Sequence, residues 1–134
     1  MPRESMDHPD VPDLAPGRGY SHVVTARGRL VAVAGKVALD PEGAVVGPGD
    51  PRAQAQQVFE NLQIALRAAG ATFADVIKLG YFVTDLSFLP VVREVRDRYV
   101  DTKRPPASTA VQVAGLVRPE FLLEIEAWAV VPDR

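Results

Sequence analysis

Arg104-Pro105-Pro106-Ala107-Ser108-Thr109-Ala110-Val111-Gln112-Val113-Ala114-Gly115-Leu116, followed by Leu123-Glu124-Ile125-Glu126-Ala127-Trp128-Ala129, is the stretch whose reading decides the fold. Two adjacent prolines stop any preceding helix, since each lacks a backbone N–H and pushes the residue before it into extended conformation. A short strand rich in β-branched residues follows, Gly115 ends it, and a longer apolar strand closes the chain. On that last strand Glu124, Glu126 and Trp128 share one parity, so they share one face.

Working outward, Asp50-Pro51 announces a helix, with Asp50 as N-cap and Pro51 at the first helical position, where no N–H is needed. Val58, Phe59, Leu62, Leu66 and Ala69 recur at helical spacing, and Gly70 suits a left-handed cap. The run Val76 to Val83 predicts a strand. A second helix is expected over residues 87–100, with Phe88, Val91, Val92, Val95 and Tyr99 on one side and Pro90 in its first turn. Upstream, residues 20–25 and 30–34 flank Ala26-Arg27-Gly28-Arg29 and predict a hairpin. Residues 37–39 lead into the turn Asp40-Pro41-Glu42-Gly43. Residues 1–16, proline-rich and acidic without periodicity, predict a flexible N-terminal arm, leaving 17–134 as a single domain.

The expected order is β-β-(β)-α-β-α-β-β, an α+β domain with two helices on one face of a mixed sheet. Yet residues 30–34, 76–83 and 121–131 are apolar on both parities, as in a sheet buried on both sides. No element remains to cover the second face. At roughly 25 cal/mol per Å² of apolar surface, leaving it wet costs many kcal/mol, which predicts a homo-oligomer closed by cyclic symmetry.

Composition narrows function by exclusion. The 134 residues are 47% hydrophobic and 24% charged, with 15 basic and 17 acidic side chains and no basic run. Nucleic-acid binding normally needs clustered Lys and Arg, so none is expected. There is no cysteine and there are only two histidines, His8 and His22, so neither a metal nor a cofactor is expected. No apolar run has the length of a membrane span, and the simplest location is the cytoplasm.

From Tyr20 onward the chain resembles the RidA family (YjgF/YER057c, L-PSP proteins). The resemblance runs through Val33-Ala34-Gly35-Lys36, Gln54-Ala55-Gln56-Gln57-Val58-Phe59-Glu60-Asn61, Ala68-Ala69-Gly70, Asp75-Val76-Ile77-Lys78, Phe82-Val83-Thr84-Asp85-Leu86 and the two terminal strands. It implies a chorismate-mutase-like fold, a trimer around a central β-barrel, and small-molecule clefts between subunits. The implied chemistry is hydrolysis of an enamine or imine, in the standard case a 2-imino acid. An arginine then pairs with the substrate carboxylate and a glutamate positions the attacking water.

Carried over by position, Glu124 is the catalytic glutamate. Tyr20, Ala34, Gly35, Lys36, Ser108 and Thr109 line the substrate site. Three positions depart from the family pattern. Ser108 stands where the arginine is expected, Ala34 replaces a serine, and Val92 lies near where an asparagine often stands. A hydroxyl has no charge to offer a carboxylate, so the standard 2-imino acid deaminase reaction has lost its anchor. Lys36, Arg104 and Arg118 are the candidates to return a cation. Ser108 as a nucleophile would need His22 as its base, and a pocket-lining hydroxyl is the simpler reading. Asp50 and Asn61 are assigned to capping and helix-surface hydrogen bonds. Two functions stay open: an enzyme acting on an enamine, imine or related carbonyl compound, and a non-catalytic trimer binding a metabolite or partner. A ribonuclease ranks last, for want of a basic patch or an acid–base histidine pair.

Overall fold

The computed structural model describes residues 5–133. The elements are β1 (Met6–Asp7), β2 (Thr25–Ala26), β3 (Arg29–Lys36), α1 (Pro51–Ala68), β4 (Val76–Val83), α2 (Leu89–Arg96), β5 (Ala107–Gln112) and β6 (Leu123–Val131), with 3-10 turns at Phe73–Asp75 and Leu86–Phe88. Four strands form one mixed sheet in the spatial order β3-β6-β4-β5. β4 and β5 run parallel and the other pairs antiparallel. The α+β architecture expected from the sequence is the one observed.

Local chemistry explains the long helix. The Asp50 carboxylate accepts the Ala53 N–H at 3.1 Å, ahead of Pro51 at the first helical position. At the far end Gly70 takes φ 74°, which frees the Gly70 N–H for Arg67 O and the Ala71 N–H for Leu66 O. Val58, Phe59, Leu62 and Leu66 are fully buried against the sheet, where Leu79, Val83, Leu123, Ile125 and Ala129 meet them. This single layer of contacts is the core of the chain.

Several boundaries differ from expectation. α2 covers Leu89–Arg96 rather than 87–100. Before it, Asp85 caps the Ser87 N–H at 2.8 Å and closes a 3-10 turn, which suits a segment whose Pro90 has no N–H to give. After it, the N–H groups of Tyr99 and Val100 both turn back to Arg96 O, laying Tyr99 on Phe59 with ring centroids 5.3 Å apart.

The expected hairpin around Gly28 is absent. Thr25–Ala26 pairs instead with Met6–Asp7, and β3 pairs with β6. Gly28 has φ 141°, and a Cβ there would overlap the Val131 carbonyl oxygen. The glycine therefore serves a close pass by the end of β6, not a turn back onto β3. Residues 20–24 form no strand. Ser21 instead binds the proline break, its N–H on Pro106 O at 3.2 Å and its hydroxyl on Pro105 O at 2.5 Å. Residues 1–4 of the expected N-terminal arm lie outside the described residues. Within the rest of the arm, Met6–Asp7 is strand.

The second face of the sheet carries Leu30, Ala32 and Ala34 from β3, Phe82 from β4, Thr109 and Val111 from β5, and Glu124, Glu126 and Trp128 from β6. Leu30 is 62% exposed, and Val111 and Trp128 about 40% each. Among the described residues no helix lies on this face. The two glutamates make β6 amphipathic, not apolar on both parities as expected.

Candidate functional site

The register divides the expected site residues into two groups. Glu124 pairs with Phe82, which in turn pairs with Val111, so Glu124 belongs to the open face. Ser108 pairs with Leu79, a residue buried beneath the helices, so Ser108 belongs to the helix side. Within one chain the catalytic candidate and the substituted arginine position thus lie on opposite faces of the sheet. They also sit toward different edges: Gly35 and Lys36 end the edge strand β3, whereas Ser108 and Thr109 lie on the other edge strand, three strand spacings or about 14 Å away.

Around Glu124 the geometry is specific. β3 carries an irregularity between Val33 and Lys36 against β6, so that Lys36 pairs with Ile125. Such a bulge shifts the parity of everything beyond it. Ala34 remains exposed on the open face, Gly35 is brought under the Glu124 side chain, and Lys36 turns toward α1. A Cβ on Gly35 would lie 2.7 Å from the Glu124 carboxyl carbon. Any larger residue there would push the Glu124 carboxylate aside. Among the described residues, the half-buried Glu124 carboxylate has no hydrogen bond or ion pair. Glu126, one row along, lies over Gly80 in the same manner, its Cγ 2.9 Å from where a Cβ would stand. Thr109 flanks Gly80 from the opposite side.

Lys36 lines a separate cavity of about 530 Å³ between the β3 edge and α1, together with Gly35, Leu39, Asp40, Asn61 and Ile64. Asn61 there holds the chain after β3, donating to Val37 O and Leu39 O at 3.0 and 2.9 Å. Its Oδ1 also accepts from Gln57 Nε2 at 2.9 Å along α1, so its role is structural both on its own helix and toward the neighbouring segment.

Ser108 lines a hole of about 20 Å³ together with Tyr20, Tyr81, Arg18, Arg93 and Arg96. Tyr20 and Ser108 are therefore brought together as expected. Within the chain the three candidate cations lie away from Ser108. Lys36 faces α1, Arg104 lines a cavity beside His8 and His22, and the Arg118 guanidinium stacks 5.6 Å from the centre of the Phe121 ring. Val92, the position near the expected asparagine, is fully buried in the core, and its neighbour Arg93 reaches the hole instead.

The guanidinium of Arg96 is buried and engaged. Its Nε and Nη2 bind Asp97 Oδ1 at 3.1 and 2.8 Å, and Nη1 donates to Gly19 O at 2.8 Å. That last bond holds the segment carrying Tyr20 against α2. Burial pushes the Tyr81 phenol up to about 12, against the opposing pull of the Arg96 and Arg93 charges, so it is a neutral donor at any ordinary pH. Among the described residues no histidine stands by Ser108, because His22 Nε2 is 2.6 Å from Ala15 O and lines a different cavity. Sequence reasoning overlooked Arg18, Arg93 and Arg96. The available signal was the i, i+3 spacing of Arg93 and Arg96, which puts both on one side of α2.

The family model described as Endoribonuclease L-PSP matches residues 12–131. A RutC family protein of Synechocystis is 35% identical over 88% of this chain and 90% of its own length. The crystal structure of a protein of unknown function from Yersinia pestis, assigned to the conserved Rid family, superposes with a TM-score of 0.84 at 35% identity, covering 95% of this chain and 99% of that one. RidA from an Antarctic Psychrobacter is 36% identical, with a TM-score of 0.71 over 87% of this chain and 92% of that one. The α+β sheet with helices on one side is the fold shared with these Rid-family structures. This chain belongs to the L-PSP/RidA (YjgF) family.

Proposed function

We propose that the protein forms a homotrimer whose inter-subunit clefts bind an enamine, an imine or a related carbonyl metabolite, and that Glu124 is the general base for water addition there. The observation that carries this reading is the Glu124 carboxylate, half-buried, unpaired among the described residues and seated on Gly35. A carboxylate held by shape and not by a counter-ion is free to take a proton from water. Its separation from Ser108 and Tyr20 supports the oligomer. A cleft containing both groups requires the β5 edge of one copy to meet the open face of another, and the exposed Leu30, Val111 and Trp128 give that contact apolar area. The binding-only alternative draws its support from Ser108, a neutral group with no base beside it.

Two measurements test the reading. Light scattering coupled to size exclusion should give close to three times the 14.5 kDa chain mass; a stable folded monomer overturns it. Enamine or imine substrates generated in situ should release ammonia faster with the protein than without it, and no acceleration across that class leaves only the binding role.

Gly35→Ala separates the site from the fold. The new methyl meets a flexible carboxylate, so unfolding free energy should fall by less than about 1 kcal/mol. Displacing Glu124 by about an ångström should nevertheless cut turnover by roughly tenfold to a hundredfold. Unchanged turnover in a correctly folded Gly35→Ala protein means that Glu124 is not where the reaction occurs.

A further inference from the structure

Tyr20 lines the small hole beside Ser108 and also a second cavity of about 760 Å³, walled by the N-terminal segment and by Lys103, Arg104 and Pro105. It is 37% exposed, so core packing alone does not fix its ring. The backbone on either side of it is nevertheless tied down. Arg96 donates to Gly19 O at 2.8 Å, and Ser21 donates to the Pro105 and Pro106 carbonyls. Gly19 takes φ 78°, and a Cβ there would lie 2.9 Å from Nη2 of the buried Arg96. These contacts set where the Tyr20 side chain leaves the chain.

The ring itself is held from two directions. Gly17 passes so close that a Cβ on it would lie 3.1 Å from Tyr20 Cε2. His22 meets the ring edge-to-face, with centroids 5.4 Å apart and planes at 85°, an arrangement that aromatic quadrupoles favour. The His22 ring is fixed in its turn. Its Nε2 is 2.6 Å from Ala15 O, and a carbonyl only accepts, so Nε2 carries the proton and donates. Ala15 belongs to the N-terminal segment, whose start is bound by the pairing of Met6–Asp7 with Thr25–Ala26 and by the Arg27 N–H on Ser5 O at 2.8 Å. A continuous run of contacts thus passes from that segment through His22 to a wall of the candidate site.

We propose that His22 is a positioning residue, which orients the Tyr20 ring as a binding wall of the ligand cleft and transmits to it the placement of the N-terminal segment. His22 touches no ligand itself. The proposal deepens the preceding reading and rests on it for Tyr20 facing the ligand. Only the fraction of rings standing in the binding orientation contributes to affinity. Loosening Tyr20 therefore weakens binding by that fraction and leaves the chemical step alone.

Two readouts on the assembled, full-length protein test it. Carbon-13 relaxation follows the three tyrosine rings, assigned through Tyr→Phe variants. His22→Ala should lower the Tyr20 ring order parameter from the rigid range, about 0.85, to below about 0.6, with Tyr81 and Tyr99 unchanged. In turnover of enamine or imine substrates generated in situ, His22→Ala should raise KM by about two- to tenfold, the range one aromatic pair accounts for, with kcat within about twofold of wild type. In a Tyr20→Ala background the same substitution should change KM by less than about twofold, because its effect runs through the missing ring. An unchanged Tyr20 order parameter, equal loosening of all three rings, a loss mainly in kcat, or a full His22→Ala effect in the Tyr20→Ala background each overturn the proposal. Failure of the catalytic reading looks different: Glu124→Gln then leaves turnover untouched, while the Tyr20 ring still loosens in His22→Ala.

Discussion

Gln54→Leu should lower the free energy of unfolding by about 3 kcal/mol, a large fraction of the 5–15 kcal/mol typical of a domain. Gln54 is fully buried, and its amide is saturated. Nε2 donates to Gly47 O at 3.1 Å and to Glu120 O at 2.9 Å, while Oε1 accepts the Leu122 N–H at 2.9 Å. One side chain on α1 thus fastens the loop before that helix and the loop that feeds β6. Leucine has similar bulk but leaves Glu120 O and the Leu122 N–H without these partners, each costing about 1–3 kcal/mol, whereas Gly47 O keeps the Asp50 N–H at 2.9 Å. Urea midpoints at a fixed protein concentration measure the loss, the fixed concentration guarding against any contribution from assembly. A loss below about 1 kcal/mol shows that water replaces the amide. The consequence reaches the candidate site, because Leu122 O also accepts the Thr84 N–H at 3.0 Å, two residues before Glu124. The same contacts that stabilise the domain set where β6 begins.

Glu124→Gln should reduce turnover of the imine or enamine substrate by about 10²- to 10⁴-fold, the usual contribution of a positioned general base. The amide is isosteric and cannot take a proton at neutral pH. Glu124 has no partner among the described residues to leave stranded, so stability should be almost unchanged. KM should move little, since the loss falls on the transition state. A variant within about threefold of wild type removes Glu124 from the mechanism. Paired with Gly35→Ala, the result separates loss of the carboxylate from its displacement.

Much of this was legible from local chemistry. The Asp50-Pro51 start and Gly70 end of α1, the strand Val76–Val83 and the break at Pro105-Pro106 were all readable, because caps and proline geometry act within a few residues. The hairpin at Gly28 was misread for the complementary reason. A glycine's backbone freedom shows in the sequence, but the Val131 carbonyl it makes room for is a hundred residues away. α2 was drawn too long because apolar periodicity persists through Tyr99, although the hydrogen bonds tighten into a turn after Arg96.

The sequence by itself determined the family and the α+β class, since both are written in residue type and order. Only the tertiary structure decided which side chains share a site. The parallel pairing of β4 with β5 sets Ser108 beside Leu79 and beneath α2, and the bulge at Ala34–Gly35 sends Lys36 one way and Glu124's support the other. Both depend on contacts between segments distant in the chain. They place Ser108 beside Arg93 of α2, a proximity that residue spacing along one strand could not reveal.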